Sequence, residues 1–207
     1  MDLNFSAPAT TKCYEKQQTK EVSKRRTTAC VSYTQQYLYR RGFSEANLLE
    51  AMKLEKFEKG QCWHFITGGD VDNLSYLKVI LLHQPQLDYV LFSTWRMAAE
   101  DLLQLGEWLD NGVIKKMDAY LGEIFPSTHH VEWQMINELF DRTQCGRIAV
   151  FRNHSKIIAG WGGQFHFTIE SSANINTNPR TEQACITIDE GVTLFYKEFY
   201  DGIKSFC

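Results

Sequence analysis

The chain has 207 residues, a net charge of -3, an apolar fraction of 43% and a charged fraction of 23%. These values lie near globular averages and exclude global disorder and a membrane-embedded protein; one main core with an appendage is expected. No run approaches the roughly 18–20 consecutive apolar residues of a spanning helix, and Met1-Asp2-Leu3-Asn4 lacks the basic-then-apolar pattern of a leader, so a cytoplasmic location without membrane contact is expected.

Residues 1–43 hold eight Lys/Arg against three Asp/Glu, a balance of +5 that leaves -8 on the remainder. Up to about Ala29 this stretch is polar, with almost no apolar periodicity. It reads as a basic, partly disordered arm: either a solvated tail or an element that neutralises backbone phosphates. Ser44 is placed to cap a connecting helix within 44–59 that carries Leu48, Leu49, Met52 and Phe57, with Lys59-Gly60 as its stop.

From residue 60 to 207 the pattern alternates. Cys62 to Thr67 predicts a strand, Asn73 to Leu82 a helix, Leu87 to Ser93 a strand, and Met97 to Leu109 a helix ended by Asn111-Gly112. Val113 to Leu121 follows as a strand, then a helix over Val131 to Phe140 that buries Val131, Met135, Ile136, Leu139 and Phe140. After Gly146 come short strands at Arg147 to Phe151, Lys156 to Ala159 and Gln164 to Ile169, the last two joined as a hairpin through Gly160-Trp161-Gly162-Gly163. A strand at Ala184 to Ile188 leads into a closing helix capped by Asp189, with Val192, Phe195, Phe199, Ile203 and Phe206 at helical spacing. Strand-helix alternation of this kind is an α/β sheet.

The six cysteines (Cys13, Cys30, Cys62, Cys145, Cys185, Cys207) contain no CxxC pair, so spacing gives neither a zinc ligand set nor a disulfide framework, and they read as reduced thiols. His129-His130 reads as a surface helix start rather than a metal pair, and His166, between Phe165 and Phe167, as a residue on a strand face. Gly68-Gly69-Asp70 lacks a following Lys-Ser/Thr and is a turn rather than a phosphate loop. Trp95-Arg96, at the carboxyl end of a strand, stands where ligands bind in open sheets, although packing is its default role.

Composition departs most from a plain core in Phe151-Arg-Asn-His-Ser-Lys156 and in the polar run from Glu170 to Gln183. If His154 and Lys156 lie on a strand, they project to one side, an imidazole nucleophile beside an ammonium that neutralises phosphoryl oxygens. His154-Ser-Lys156, Ser171-Ser-Ala-Asn174 and the later Glu182 together resemble the HxK, GSxN and acidic residue of the phospholipase D superfamily. The wording Ile-Glu-Ser-Ser-Ala-Asn, then Asn-Pro-Arg-Thr-Glu-Gln, looks like its short, single-motif members encoded by phages and prophages.

The resemblance implies a single phospholipase D-like domain over 60–207, a mixed β-sheet flanked by helices. It implies His154 as the nucleophile of a phosphohistidine, Lys156, Ser172 and Asn174 as phosphate ligands, and Glu182 as the group orienting an imidazole, with neither cofactor nor metal. The family's Asp, five residues after the Lys, falls on Trp161, and the Gly opening GSxN is Ser171. No second HxK exists in the chain. Two such motifs normally meet at a pseudo-twofold, so the resemblance implies a homodimer sharing one site. The expected function is a metal-independent phosphodiesterase, a nuclease acting on DNA sooner than RNA. The alternatives are a catalytically silent nucleic-acid-binding or structural protein, and phospholipid hydrolysis or headgroup exchange.

Overall fold

Leu87–Thr94 is buried along nearly its whole length, as an interior strand of a seven-stranded sheet is when both faces of that sheet are covered by other elements. A computed structural model of the protein describes residues 45–176 and 180–206. The expected basic arm of residues 1–43 and the Ser44 cap lie outside the described residues. In chain order the elements are α1 (helical residues 45–52), β1 (Cys62–Thr67), α2 (Asn73–His83), β2 (Leu87–Thr94), α3 (Ala99–Asp110), β3 (Met117–Gly122), α4 (Phe125–Thr128), α5 (His130–Thr143), β4 (Ile148–Phe151), β5 (Ile157–Gly162), β6 (His166–Ser171), β7 (Glu182–Thr187) and α6 (Glu190–Asp201).

The sheet order is β1-β7-β6-β5-β2-β3-β4. Strands β2, β3 and β4 run parallel; β5 is antiparallel to β2, and β6, β7 and β1 continue as antiparallel neighbours. One edge of the sheet therefore gathers the carboxyl ends of β1, β2, β3, β4 and β6 with the amino ends of β5 and β7. That edge carries the site.

Side chains alternate across the sheet. One face sends Phe92, Leu121, Val150, Ile158, Ile169 and Ile186 into the main core, which α2, α3 and α5 close with Leu77, Ile80, Leu105 and Ile136. The other sends Tyr89, Leu91, Tyr120, Ile157 and Ala159 into a smaller core covered by Tyr200 of α6. The connecting helix packs on the main core through the buried Met52, and the Glu45 carboxylate pairs with Lys78 at 2.7 Å.

Caps define the helices. Asp72 accepts the Ser75 amide at 3.0 Å to start α2, and Asp189 accepts the Val192 amide at 3.1 Å to start α6, as its sequence predicts. Gln144, in the left-handed region at φ 50°, ends α5.

The structure corrects several expectations. The strand expected from Val113 begins at Met117, because Ile114 makes only an isolated bridge to Leu87. Val131 is exposed at the first turn of α5, turned away from the core that Ile136, Leu139 and Phe140 enter. The Gly160-Trp161 pair is inside β5 rather than in the hairpin turn: a Cβ on Gly160 would lie 2.3 Å from the Tyr89 carbonyl, so glycine is what lets β2 pair closely there. On α6 the packed face is Thr193, Tyr196 and Tyr200, while Phe195 and Phe199, at 65% and 57% exposure, face outward. Among the described residues no helix is long and apolar enough to cross a membrane.

Candidate phosphodiester site

The chain leaves β4 at the far edge of the sheet and must cross the ends of β3 and β2 to reach β5. His154 and Lys156 lie in this crossing, not on the strand expected for them, since β5 begins at Ile157. They nevertheless stand side by side: Lys156 Nζ is 3.0 Å from His154 Nδ1 and donates to the His154 carbonyl at 2.5 Å.

A buried polar network holds the crossing in place. The Asn153 amide donates to Ser93 Oγ at 2.8 Å and to the Tyr120 carbonyl at 3.0 Å, clamping it to the ends of β2 and β3. Ser155, between the two motif residues, turns inward; its hydroxyl lies 2.6 Å from Asn153 Oδ1, 2.7 Å from Ser93 Oγ and 2.6 Å from the Tyr200 hydroxyl. With Ser155 pointing in, its neighbours His154 and Lys156 are presented to the cleft. The indole of Trp95, just past β2, lies with its centroid 5.0 Å from that of the His154 ring.

The second motif segment joins β6 to β7 at the same edge. The Ser171 amide donates to the Lys156 carbonyl at 3.1 Å, which ties the two motif segments together directly. The Ser172 hydroxyl donates to the Glu182 carboxylate, and the Gln183 amide donates to that hydroxyl at 2.9 Å. Asn174 Oδ1 accepts the Trp95 amide at 3.3 Å and lies 3.5 Å from the Thr94 hydroxyl, which ties this side chain to the end of β2.

A cleft of about 810 Å³ opens on this arrangement, lined by His154, Lys156, Glu170, Ser172, His64 and Cys185 among others. His154 is exposed, whereas Lys156 is buried at 7%. Burial pushes the Lys156 pKa below the usual lysine value, and the negative charge of Glu182 opposes that shift. The cleft thus offers an accessible imidazole with an ammonium fixed beside it, and Ser172 from a second segment, whereas Asn174 and Glu182 stand outside its lining. An imidazole beside an ammonium suits a phosphoryl anion held against a nucleophile.

Both departures from the family pattern have a definite place. Trp161 lies opposite Tyr89, with ring centroids 4.5 Å apart, at the end of β5 remote from Lys156, so it packs and does not close the cleft. Ser171 accepts the Ala173 amide at 2.9 Å and donates to the Gln183 carbonyl at 3.1 Å, a turn-forming role. His130 opens α5 at the surface, and His166 sits on β6 across from Trp161. Ser155, Asn153, Ser93 and Tyr200 were not singled out by sequence, since nothing in their spacing connects them; Trp95 was, by its place after β2.

Among the described residues one group could hold a metal ion: Cys62, His64 and Cys185, with donor atoms all within 4.8 Å of one another. Two of the cysteines that look scattered along the chain are thus neighbours in space.

No family model and no curated protein matches the chain. Solved structures do. Polyphosphate kinase from Porphyromonas gingivalis shares 13% identity at a TM-score of 0.52, over 71% of this chain and 27% of that one. Phosphatidylserine synthase from Haemophilus influenzae Rd KW20 shares 12% identity at a TM-score of 0.50, over 67% of this chain and 37% of that one. Both have phospholipase D-like folds. The fold of this chain is phospholipase D-like. The chain spans well under half of either protein's length, and identities this low concern the architecture alone. In this phospholipase D-like sheet, His154 and Lys156 stand at the strand edge where open α/β sheets bind their ligands.

Proposed function

We propose that the protein is a metal-independent phosphodiesterase, a nuclease that acts through a phosphohistidine in a site shared by two copies of the chain. The observation that carries this reading is the contact of His154 with Lys156 on a cleft that Ser172 also lines. In this reading the His154 imidazole attacks phosphorus as the P–O bond to the leaving alcohol breaks, and Lys156, Ser172 and Asn174 hold the non-bridging oxygens. The imidazole of the second copy protonates the leaving oxygen, then takes a proton from the water that cleaves the P–N bond. Glu182 acts through its neighbours, receiving the Ser172 hydroxyl and facing the Lys156 charge.

A nucleic-acid backbone is the substrate class favoured by the +5 balance of residues 1–43, which neutralises phosphates irrespective of sequence. DNA is preferred over RNA, and no cofactor enters this chemistry. The resemblance to small phage-encoded members supports the same choice. The test is incubation of the full chain with labelled single- and double-stranded DNA and RNA in EDTA. Cleavage that is lost in His154→Ala is expected; an inactive wild type, or an equally active variant, overturns the catalytic reading.

One observation favours a second reading, a phosphate-binding protein without turnover: the hydroxyls of Ser171 and Ser172 are both engaged within the protein. Salt-sensitive DNA binding that survives His154→Ala and Lys156→Ala but disappears when residues 1–29 are deleted would select it. Headgroup release from liposomes would instead select a phospholipid substrate.

A further inference from the structure

Cys62 and His64 are two residues apart on β1 and therefore project from one face. In the antiparallel register His64 is directly opposite Cys185 of β7, and Cys62 is opposite Thr187. The four side chains form a patch in which Cys62 Sγ is 3.0 Å from Cys185 Sγ and 3.5 Å from His64 Nε2, with Thr187 Oγ1 3.6 Å and 3.5 Å from the two sulfurs.

This patch is not part of the hydrophobic packing. The other face of β1 carries Trp63 and Phe65 into the main core, and α6 covers β5 and β6 on the patch side, leaving Cys62 and His64 exposed at the sheet edge. Two thiols and an imidazole brought together on an exposed face have no structural need that alanine would not meet.

We infer that Cys62, His64 and Cys185 form a binding site for a thiolate-preferring divalent cation, of which zinc is the biological example. Cys and His are the ligands such a cation selects over carboxylates, and three protein donors leave a fourth tetrahedral position for water. Zn–S and Zn–N bonds of about 2.3 Å and 2.0 Å place donor atoms roughly 3.5–3.8 Å apart in a tetrahedron. The Cys62 sulfur–imidazole separation of 3.5 Å already matches, the sulfurs need to part by less than an ångström from 3.0 Å, and all three donors lie within 4.8 Å of one another. A disulfide fits the register less well. Cys62 and Cys185 are diagonal rather than opposed, and diagonal Cα atoms in an antiparallel pair are about 7–8 Å apart, outside the usual disulfide range.

The bound cation ties the edge strand β1 to β7. His64 and Cys185 also line the cleft that holds His154 and Lys156, so the ion adds positive charge to its rim. The site stands on its own geometry and is independent of the phosphodiester reading.

The test uses the full chain, reduced and stripped of metal, then loaded with zinc and desalted. One zinc per chain and a raised unfolding temperature are expected in wild type and in Cys145→Ser, which changes a cysteine buried elsewhere. Both should be lost in the Cys62→Ser/Cys185→Ser double variant and in His64→Ala. Cobalt(II) loading of the wild type should give a thiolate-to-metal charge-transfer band with tetrahedral visible absorption, a readout that does not require any variant to fold. Failure of the wild type to retain zinc, retention by the double variant, or an octahedral cobalt spectrum overturns the site. So does a Cys62–Cys185 disulfide in protein isolated without oxidant.

Discussion

The Ser155 hydroxyl lies 2.6 Å from the Tyr200 hydroxyl, so the residue between His154 and Lys156 is held by the closing helix α6. Its other partners, Ser93 and Asn153, complete a network in which Ser155 serves as a positioning residue. Ser155→Ala is expected to destabilise the protein by about 1–3 kcal/mol, because it strands buried partners, whereas Tyr200→Phe should cost about 1 kcal/mol. Urea unfolding measures both. An unchanged midpoint for Ser155→Ala would show that the network does not anchor the crossing.

Gly122, at the end of β3, has the Trp95 indole where a Cβ would stand, 2.3 Å from Cδ1, and the Asn153 carbonyl 3.1 Å away. Gly122→Ala must displace the indole that lies against His154, at an expected cost of about 1–3 kcal/mol. In a Trp95→Ala background the same change should cost much less. A double-mutant cycle in thermal unfolding checks this; additive costs would place the strain elsewhere.

Lys156 gives a pH dependence with a defined sign. Its folded pKa is lowered by burial, so between the folded and the ordinary lysine value the unfolded chain binds more protons and stability rises with pH. Below the folded pKa the buried ammonium is a standing cost. Lys156→Met should therefore be more stable than wild type at neutral pH, and that advantage should shrink as the pH climbs through the folded pKa. Urea unfolding of both proteins at a series of alkaline pH values tests this; a pH-independent difference would contradict it.

Gln84, 1% exposed, clamps the β5–β6 turn: its Oε1 accepts the Gln164 and Phe165 amides at 2.8 and 2.9 Å, and its Nε2 donates to the Phe165 carbonyl at 3.1 Å. Gln84→Ala is expected to cost about 1–3 kcal/mol. Amide exchange at Gln164 and Phe165 should quicken more than at Ile158 or Ile169 inside the hairpin strands. Uniform quickening would mean general loosening instead of a lost clamp.

By itself the sequence determined the alternation of strands and helices, the Asp189 cap and the succession of the His154, Ser172, Asn174 and Glu182 motif residues. Periodicity and capping act within a few residues, and the motif residues follow one another in order between 154 and 182. Tertiary structure decided the rest. Sheet order brings Ser93, Tyr120 and Tyr200 beneath the crossing, Gly160 becomes a strand residue because β2 pairs beside it, and α6 buries Tyr200 rather than Phe199 because only that face meets the sheet. The antiparallel register of β1 with β7 likewise joins Cys62 to Cys185. Such contacts depend on which distant strands become neighbours, and local spacing along the chain carries no record of that choice.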